Sequence, residues 1–522
     1  MTRSLFLAVA LGAAACGTVK DRGECATSAD CTPGEYCAHT PDGSVCWGDA
    51  VAPTVGPVTV ACGVGSSGVG GCVRDGKLVV TADATDDKEV YAVEATVDFD
   101  AAHPFALAHV AGNEWTGTID LAALDFPALS SAAVVTVRVL DGARNEATQD
   151  AATAVTRVRW AYSSSGQLTP PAVTTEGTIL FGRSDTASQL VAVKPAGTLA
   201  WSLSVGTGTV TQPPSIGAEA IWVGANDGKL YAVKLDGSGE LAGRSCTASG
   251  VAKGPPAILT TAGVDVAFGA FANGRISAST RTSCAQTPLR DPFSSGAAVD
   301  IGGDVVAVTT ATGVSSLRRF GWDGAAFEEL WSVAVGGTVE VTPAFDLLGR
   351  IVTGGQDGGL DLTTTAGVTA ALPTLGGSIA ESPVILAGGD VVVGDASGKL
   401  HRIASDGTAV WSTPVDLGAP VHAPMALRDG TARWFLVATA DGKLHALDDA
   451  GALLWEGPLT AGMALGAGNL HTPAGSATST AYFGGADGKL YAVAVEGGLD
   501  TTAPWPKAWH DARNTSRAGG GF

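Results

Sequence analysis

Asp227-Gly228-Lys229-Leu230-Tyr231-Ala232-Val233 recurs letter for letter as Asp487-Gly488-Lys489-Leu490-Tyr491-Ala492-Val493. Looser copies lie between them: Asn273-Gly274-Arg275-Ile276, Asp357-Gly358-Gly359-Leu360, Ser397-Gly398-Lys399-Leu400-His401 and Asp441-Gly442-Lys443-Leu444-His445-Ala446-Leu447. Gly313 marks another copy, and Gln189-Leu190 marks one without the glycine. The copies fall about 40 to 46 residues apart, the period of four-stranded repeat units. About two thirds of the chain is therefore one unit written roughly eight times.

One copy shows the logic. Pro213-Pro214-Ser215-Ile216 predicts a short strand, and residues 219–225 predict a second, rich in β-formers. Asn226-Asp227-Gly228 predicts a tight turn, because Asp-Gly tolerates positive φ. Leu230, Ala232 and Val233 fall on a third strand, and Asp236-Gly237 turns again. In sister copies a fourth strand carries a tryptophan: Trp201, Trp331, Trp411 and Trp455. A lone four-stranded sheet cannot bury both faces. Stacking such sheets radially covers each face with the next, and closing the ring protects the edges. The expectation is an all-β protein whose residues 160–522 form an eight-bladed β-propeller, with seven blades as the alternative because the copies near 274 and 313 are degenerate. The four tryptophans are expected to pack between blades. The segment after Val495 is expected to supply a strand beside the first blade.

The repeat, followed by Asp-Gly-x-x-x-Trp, resembles the quinoprotein-type β-propeller repeat of pyrroloquinoline-quinone (PQQ) alcohol dehydrogenases. It is also similar to the repeat of the non-enzymatic lipoprotein subunit of the outer-membrane barrel-assembly machine. The phrase from Trp505 to Thr515 resembles a tail of secreted and surface PQQ-like repeat proteins. The resemblance covers roughly residues 160–515 and implies fold more than function, since the family holds enzymes and scaffolds alike.

Arg3, the apolar run Leu5 to Leu11 and Ala13-Ala14-Ala15 read as a secretory signal over residues 1–15. Cys16 follows directly and resembles the lipidated cysteine of bacterial lipoproteins, with Gly17 suggesting the outer membrane. Of nine cysteines, lipidation of Cys16 leaves eight, an even set for disulfides in an oxidising compartment. Cys25, Cys31, Cys37 and Cys46 crowd residues 16–50, a segment too small for its own core and expected to be held by disulfides of unread connectivity. Cys62 and Cys72 flank a Gly-rich loop, and Cys246 and Cys284 sit in neighbouring repeats; each pair is expected to bond. Residues 51–159 show alternating strands, and Asp141-Gly142-Ala143-Arg144-Asn145 resembles the last hairpin of bacterial Ig-like domains, which implies a β-sandwich.

A formal charge of −20 disfavours nucleic acid and anionic membrane surfaces. The repeated aspartates read as turn formers rather than a catalytic base, and there is no adjacent cysteine pair of the kind that lies beside the quinone in many PQQ dehydrogenases. His422 and His471 are placed toward a central channel, where a metal is conceivable. His510-Asp511 is expected to hydrogen-bond where the ring closes. No catalytic, cofactor-binding or metal-binding residue is assigned. The expected function is an exported, outer-membrane-anchored propeller that binds an envelope protein or a glycan on its face, touches the membrane through a lipid only, and does not catalyse. The alternative is a quinone-dependent or polysaccharide-acting enzyme with its site in the propeller channel; the other alternative, for location, is secretion.

Overall fold

A computed structural model describes residues 24–41, 43–183 and 189–519; the signal and Cys16 lie outside them. The chain divides into two compact units. One is the described part of Met1–Gly63 with Lys77–Asp120 and Ala132–Thr153; the other is Val64–Gly76, Leu121–Ser131 and the chain from Ala154.

In the first unit a hairpin pairs Glu35–Thr40 with Gly43–Gly48. Disulfides Cys25–Cys37 and Cys31–Cys46 interleave across it. Cys62 and Cys72 are each disulfide-bonded as well. One sheet then runs Thr54–Cys62, Lys77–Thr85, Glu114–Asp120, Ala108–Ala111; in another, Val90–Val97 lies between Asp100–Ala106 and Ser130–Asp141. Both bury alternate residues, such as Leu78, Val80 and Ala82, or Val135, Val137 and Val139, the period-two signature of sheets with one dry face.

The second unit is a β-propeller. Among the described residues, eight sheets of one up-and-down order follow residue 157. Sheets 1 to 7 span 172–204, 215–247, 257–286, 298–335, 344–372, 384–416 and 425–458, and sheet 8 spans 469–496. In each the first strand is innermost, and inner strands touch between sheets 1 and 2, 2 and 3, 3 and 4, 5 and 6, and 8 and 1. Buried aliphatic and aromatic clusters fill the gaps: Val223 and Tyr231 with Leu180 between sheets 1 and 2, Trp222 and Phe271 between 2 and 3, Tyr482 and Phe181 between 8 and 1. Each sheet thus gives both faces to its neighbours.

Sheet 8 corrects an expectation. Its outer strand is Val158–Ser163, paired antiparallel with Lys489–Glu496. The residues that enter the propeller, rather than those that leave it, complete the ring, and the strand crosses the expected boundary at 159/160. The segment after Val495 goes elsewhere.

Three of the four tryptophans, with Trp160, share one device. Trp201 lies where any Cβ on Gly237 would run into its indole, and Gly237 sits in the outer hairpin of sheet 2. Trp331 covers Gly367 of sheet 5 and donates its indole N–H to Thr365 O at 3.0 Å. Trp411 covers Gly451 of sheet 7 and donates to Asp449 O at 3.2 Å. Trp160, on the entering strand, covers Gly197 of sheet 1 and donates to Pro195 O at 2.8 Å. Trp411 corrects the reading in one respect: it stands in a bend ahead of a two-residue outer strand, Val415–Asp416. Trp455, buried in sheet 7, meets no such hairpin, because sheet 8 has none; the Arg157 guanidinium lies 4.5 Å from its ring instead. Between sheets 2 and 3, where no outer-strand tryptophan covers a hairpin, the disulfide Cys246–Cys284 joins the outer strands.

Candidate functional site: the hub and its C-terminal segment

The inner strand of each propeller sheet carries one unpaired edge, a row of N–H and C=O groups that must find partners when buried. The C-terminal segment supplies them. Gly498–Leu499 adds a fifth strand to sheet 7. Trp505 and Ile385 of sheet 6 exchange backbone hydrogen bonds, and Ala426 N–H of sheet 7 donates to Pro506 O at 2.7 Å. The chain then accepts in turn: Ala512 O from Val173 N–H of sheet 1, Arg513 O from Ile216 N–H of sheet 2, Thr515 O from Ile258 N–H of sheet 3 and Ser516 O from Val299 N–H of sheet 4, at 2.7–2.9 Å. The buried Trp505 ring lies 5.9 Å from Phe345 of sheet 5, and Asn469 of sheet 8 donates to Ala512 O at 2.9 Å. One segment touches all eight inner strands.

To do so it bends sharply. Trp509, His510, Asn514 and Ser516 have φ of 61°, 75°, 55° and 47°, a region that costs non-glycine residues energy and persists only where surroundings enforce it. Two buried side chains enforce it here. Lys507 Nζ donates to Ala508 O, Asp511 O and Asn514 Oδ1 at 2.6, 3.2 and 2.9 Å, and burial pulls its pKa down to about 7. Burial pushes the Asp511 carboxyl up, but hydrogen bonds from His510 and Thr515 outweigh it and hold it at about 2. Asn514 Nδ2 donates to Pro171 O and Pro214 O at 3.0 and 3.2 Å, stitching sheets 1 and 2 to the segment. His510-Asp511 therefore shapes the hub segment and does not seal the ring, which Val158–Ser163 does.

What space remains is small and split. At the end of the hub where the inner strands begin, a cavity of about 220 Å³ is lined by Gln212, Lys253, Glu340, Glu381 and Trp509. At the other end, a cavity of about 440 Å³ is lined by Val173, Leu470, His471, Leu499 and Arg513. His422 Nδ1 lies 3.6 Å from Glu381 at the first end, and His471 Nε2 donates to Thr175 O, 3.2 Å away, at the second. The two histidines expected to share a channel stand at opposite ends of it. Two of the repeated aspartates do a second job besides turning the chain: Asp227 and Asp487 accept the phenol hydrogens of Tyr231 and Tyr491 at 2.6 and 2.5 Å; in the copy where Ser397 replaces the aspartate, Asp395, two residues earlier, takes His401 at 2.8 Å.

A family model described as outer membrane protein assembly factor BamB matches residues 328–507. That stretch runs from the outer strand of sheet 4 into the hub segment. No curated protein matches the chain. Among solved structures, BamB from Moraxella catarrhalis is 17% identical with a TM-score of 0.48, covering 64% of this chain and 97% of its own. The computationally designed protein Ika8 is 14% identical with a TM-score of 0.48, covering 64% of this chain and 99% of its own.

Repeat, turns and strand order were readable from the sequence. Lys507, Asn469 and Asn514, which organise the hub, were not singled out. The available signal was a phrase dense in aromatic and polar residues, Trp505 to Asn514, placed after the last strand pattern.

Proposed function

We propose that this chain is an exported, outer-membrane-anchored, eight-bladed propeller that binds or scaffolds an envelope partner and catalyses nothing. The observation that carries this reading is the hub. Its axis is taken up by the chain's own Trp505–Arg517, bonded to inner strands, which splits the remaining space into about 440 Å³ at one end and about 220 Å³ at the other. On the axis itself a planar quinone with its ion and a substrate would have to displace the segment. The matched family description, an assembly factor, supports the same reading. Cys16 is the lipid attachment point, the residues after Val51 form an Ig-like spacer, and no helix among the described residues is long and apolar enough to cross a membrane.

The partner, an envelope protein rather than a glycan, docks on the face carrying the hairpins that follow the inner strands. Ile301 of sheet 4 and Leu347 and Leu348 of sheet 5 are 75%, 69% and 73% exposed there, on adjacent sheets at the same end. Large apolar side chains grouped on a soluble face favour protein contact. The test is photo-crosslinking from position 347 in the native envelope. A discrete adduct that Leu348→Asp abolishes supports the reading. Dye reduction by the purified protein with PQQ and Ca²⁺, or crosslinking to nothing but lipid, overturns it.

A further inference from the structure

Asp49, Asp86 and Asp141 come from three separate places in the first unit. Asp49 follows the disulfide-held hairpin, Asp86 lies in the turn between Lys77–Thr85 and Val90–Val97, and Asp141 ends a long strand. One carboxylate oxygen of each lies within 4.8 Å of the others. Asp141 and Asp49 are 1% and 9% exposed. Asp141 is held by Asn145, whose backbone and side-chain N–H groups donate to its two oxygens, each at 2.7 Å. Asp49 Oδ1 accepts from Val51 N at 2.9 Å, and Asp86 Oδ2 accepts from Lys88 N and Glu89 N at 2.8 and 2.9 Å. The remaining oxygens, Asp49 Oδ2 and Asp86 Oδ1, are buried and have no hydrogen-bond partner. The nearby Lys88 ammonium is bonded to Asp87 at 2.9 Å.

Converging carboxylates repel, and buried oxygens without donors carry their full desolvation cost. A cation removes both penalties. We propose that these three aspartates bind a Ca²⁺ ion. The donors are all hard oxygens, which disfavours zinc and copper. Oxygens at 2.3–2.6 Å from one Ca²⁺ stand up to about 5 Å apart, so three oxygens within 4.8 Å of one another can share it; Mg²⁺ demands near-ideal octahedral geometry and dehydrates reluctantly, which an irregular cluster of this kind serves less well. The scaffold is already set for it. Gly34 N–H donates to Ala143 O at 2.9 Å, Asn145 Nδ2 donates to Asp49 O at 3.1 Å, and Ser28 Oγ donates to Glu89 at 3.2 Å. Gly142 packs so tightly on Ser28 and Tyr36 that a Cβ there would crowd both. The ion would fasten the disulfide-held segment to the strands that follow it.

The test uses the full chain after removal of divalent ions, titrated with Ca²⁺ alone by calorimetry. The expected result is one site of sub-millimolar affinity, with Mg²⁺ at least about tenfold weaker. Asp49→Asn and Asp86→Asn should each weaken Ca²⁺ by at least about tenfold, yet unfold in EDTA at the wild-type temperature or above it, since each relieves repulsion. Asp87→Asn should change nothing. Tb³⁺ bound to the wild-type chain should show Tyr36-sensitised emission that Ca²⁺ quenches, a readout independent of the variants. Absence of Ca²⁺ binding up to about 10 mM, binding that both variants leave intact, or no competed Tb³⁺ emission overturns the site.

Discussion

The joint between sheets 4 and 5 and the joint between sheets 7 and 8 begin from the same residue type and end differently. At the first, Trp331 settles on a glycine hairpin and gives its N–H to a carbonyl. At the second, Trp455 has the same place in its sheet, but the neighbouring sheet took its outer strand from residues 158–163 and so lacks the hairpin. Arg157 fills the place. Its guanidinium covers the indole, bonds both Glu496 oxygens at 2.8 and 2.9 Å, and donates to Phe126 O and Ala128 O. Leu129 packs on Gly457. A repeat joint needs a surface, not a particular sequence. Where the repeat cannot supply one, a buried cation with all three of its nitrogens hydrogen-bonded does, at the risk that any single loss leaves a buried polar group short of a partner.

That risk sets the largest expected effect. Arg157→Ala should cost about 3–5 kcal/mol, because the side chain is 3% exposed and its removal uncovers Trp455 and leaves Glu496 with only Arg74, 3.8 Å away; denaturant unfolding with an intrinsic tryptophan readout measures it. A seam no weaker than Trp331→Ala would show that the two joints are energetically alike. Next comes the joint between sheets 2 and 3, which a disulfide holds at its outer strands. Cys246→Ser with Cys284→Ser opens a link spanning 38 residues and should cost about 2–4 kcal/mol, with a matching loss on reduction of the wild type. Smaller again is Gly237→Ala, at about 1–2 kcal/mol for its φ of 71° alone, plus the collision with Trp201. In the Trp201→Ala background the collision should vanish, so the double-mutant cycle should return a coupling of about 1 kcal/mol; additivity would mean that indole and hairpin do not meet.

The smallest effect at neutral pH concerns the hub. Lys507 has a folded pKa of about 7 against an ordinary 10.5, so between those values the unfolded chain binds the extra proton. Stability should therefore rise with pH across that window, by at most about 1.4 kcal/mol per unit. Lys507→Met should flatten the slope, and a wild-type stability that is level from pH 7 to 10 would refute the assignment.

The wheel was legible because its information is local and repeated: Asp-Gly turns, alternating strands and a tryptophan at a fixed distance. The seam was not, because Val158–Ser163 reads as an ordinary strand and nothing in it names a partner more than three hundred residues away. The hub was not, because left-handed conformations at Trp509 and Asn514 contradict local preference and are imposed by the cavity they fill. The aspartates 49, 86 and 141 are unremarkable one by one; only folding brings them within 4.8 Å.

Val158–Ser163 also fixes an order of events during synthesis. It is made before any residue of sheet 1, yet its mate, Lys489–Glu496, is made only after sheets 1 to 7, and the hub segment after that. Until those residues are available, the two ends of the growing wheel stay open and their sticky edges unmatched, so this protein's hazard lies in the late closing step of its folding. Chaperones that shield strand edges should matter most then, and a stalled or clipped message should yield an aggregating arc rather than a smaller ring.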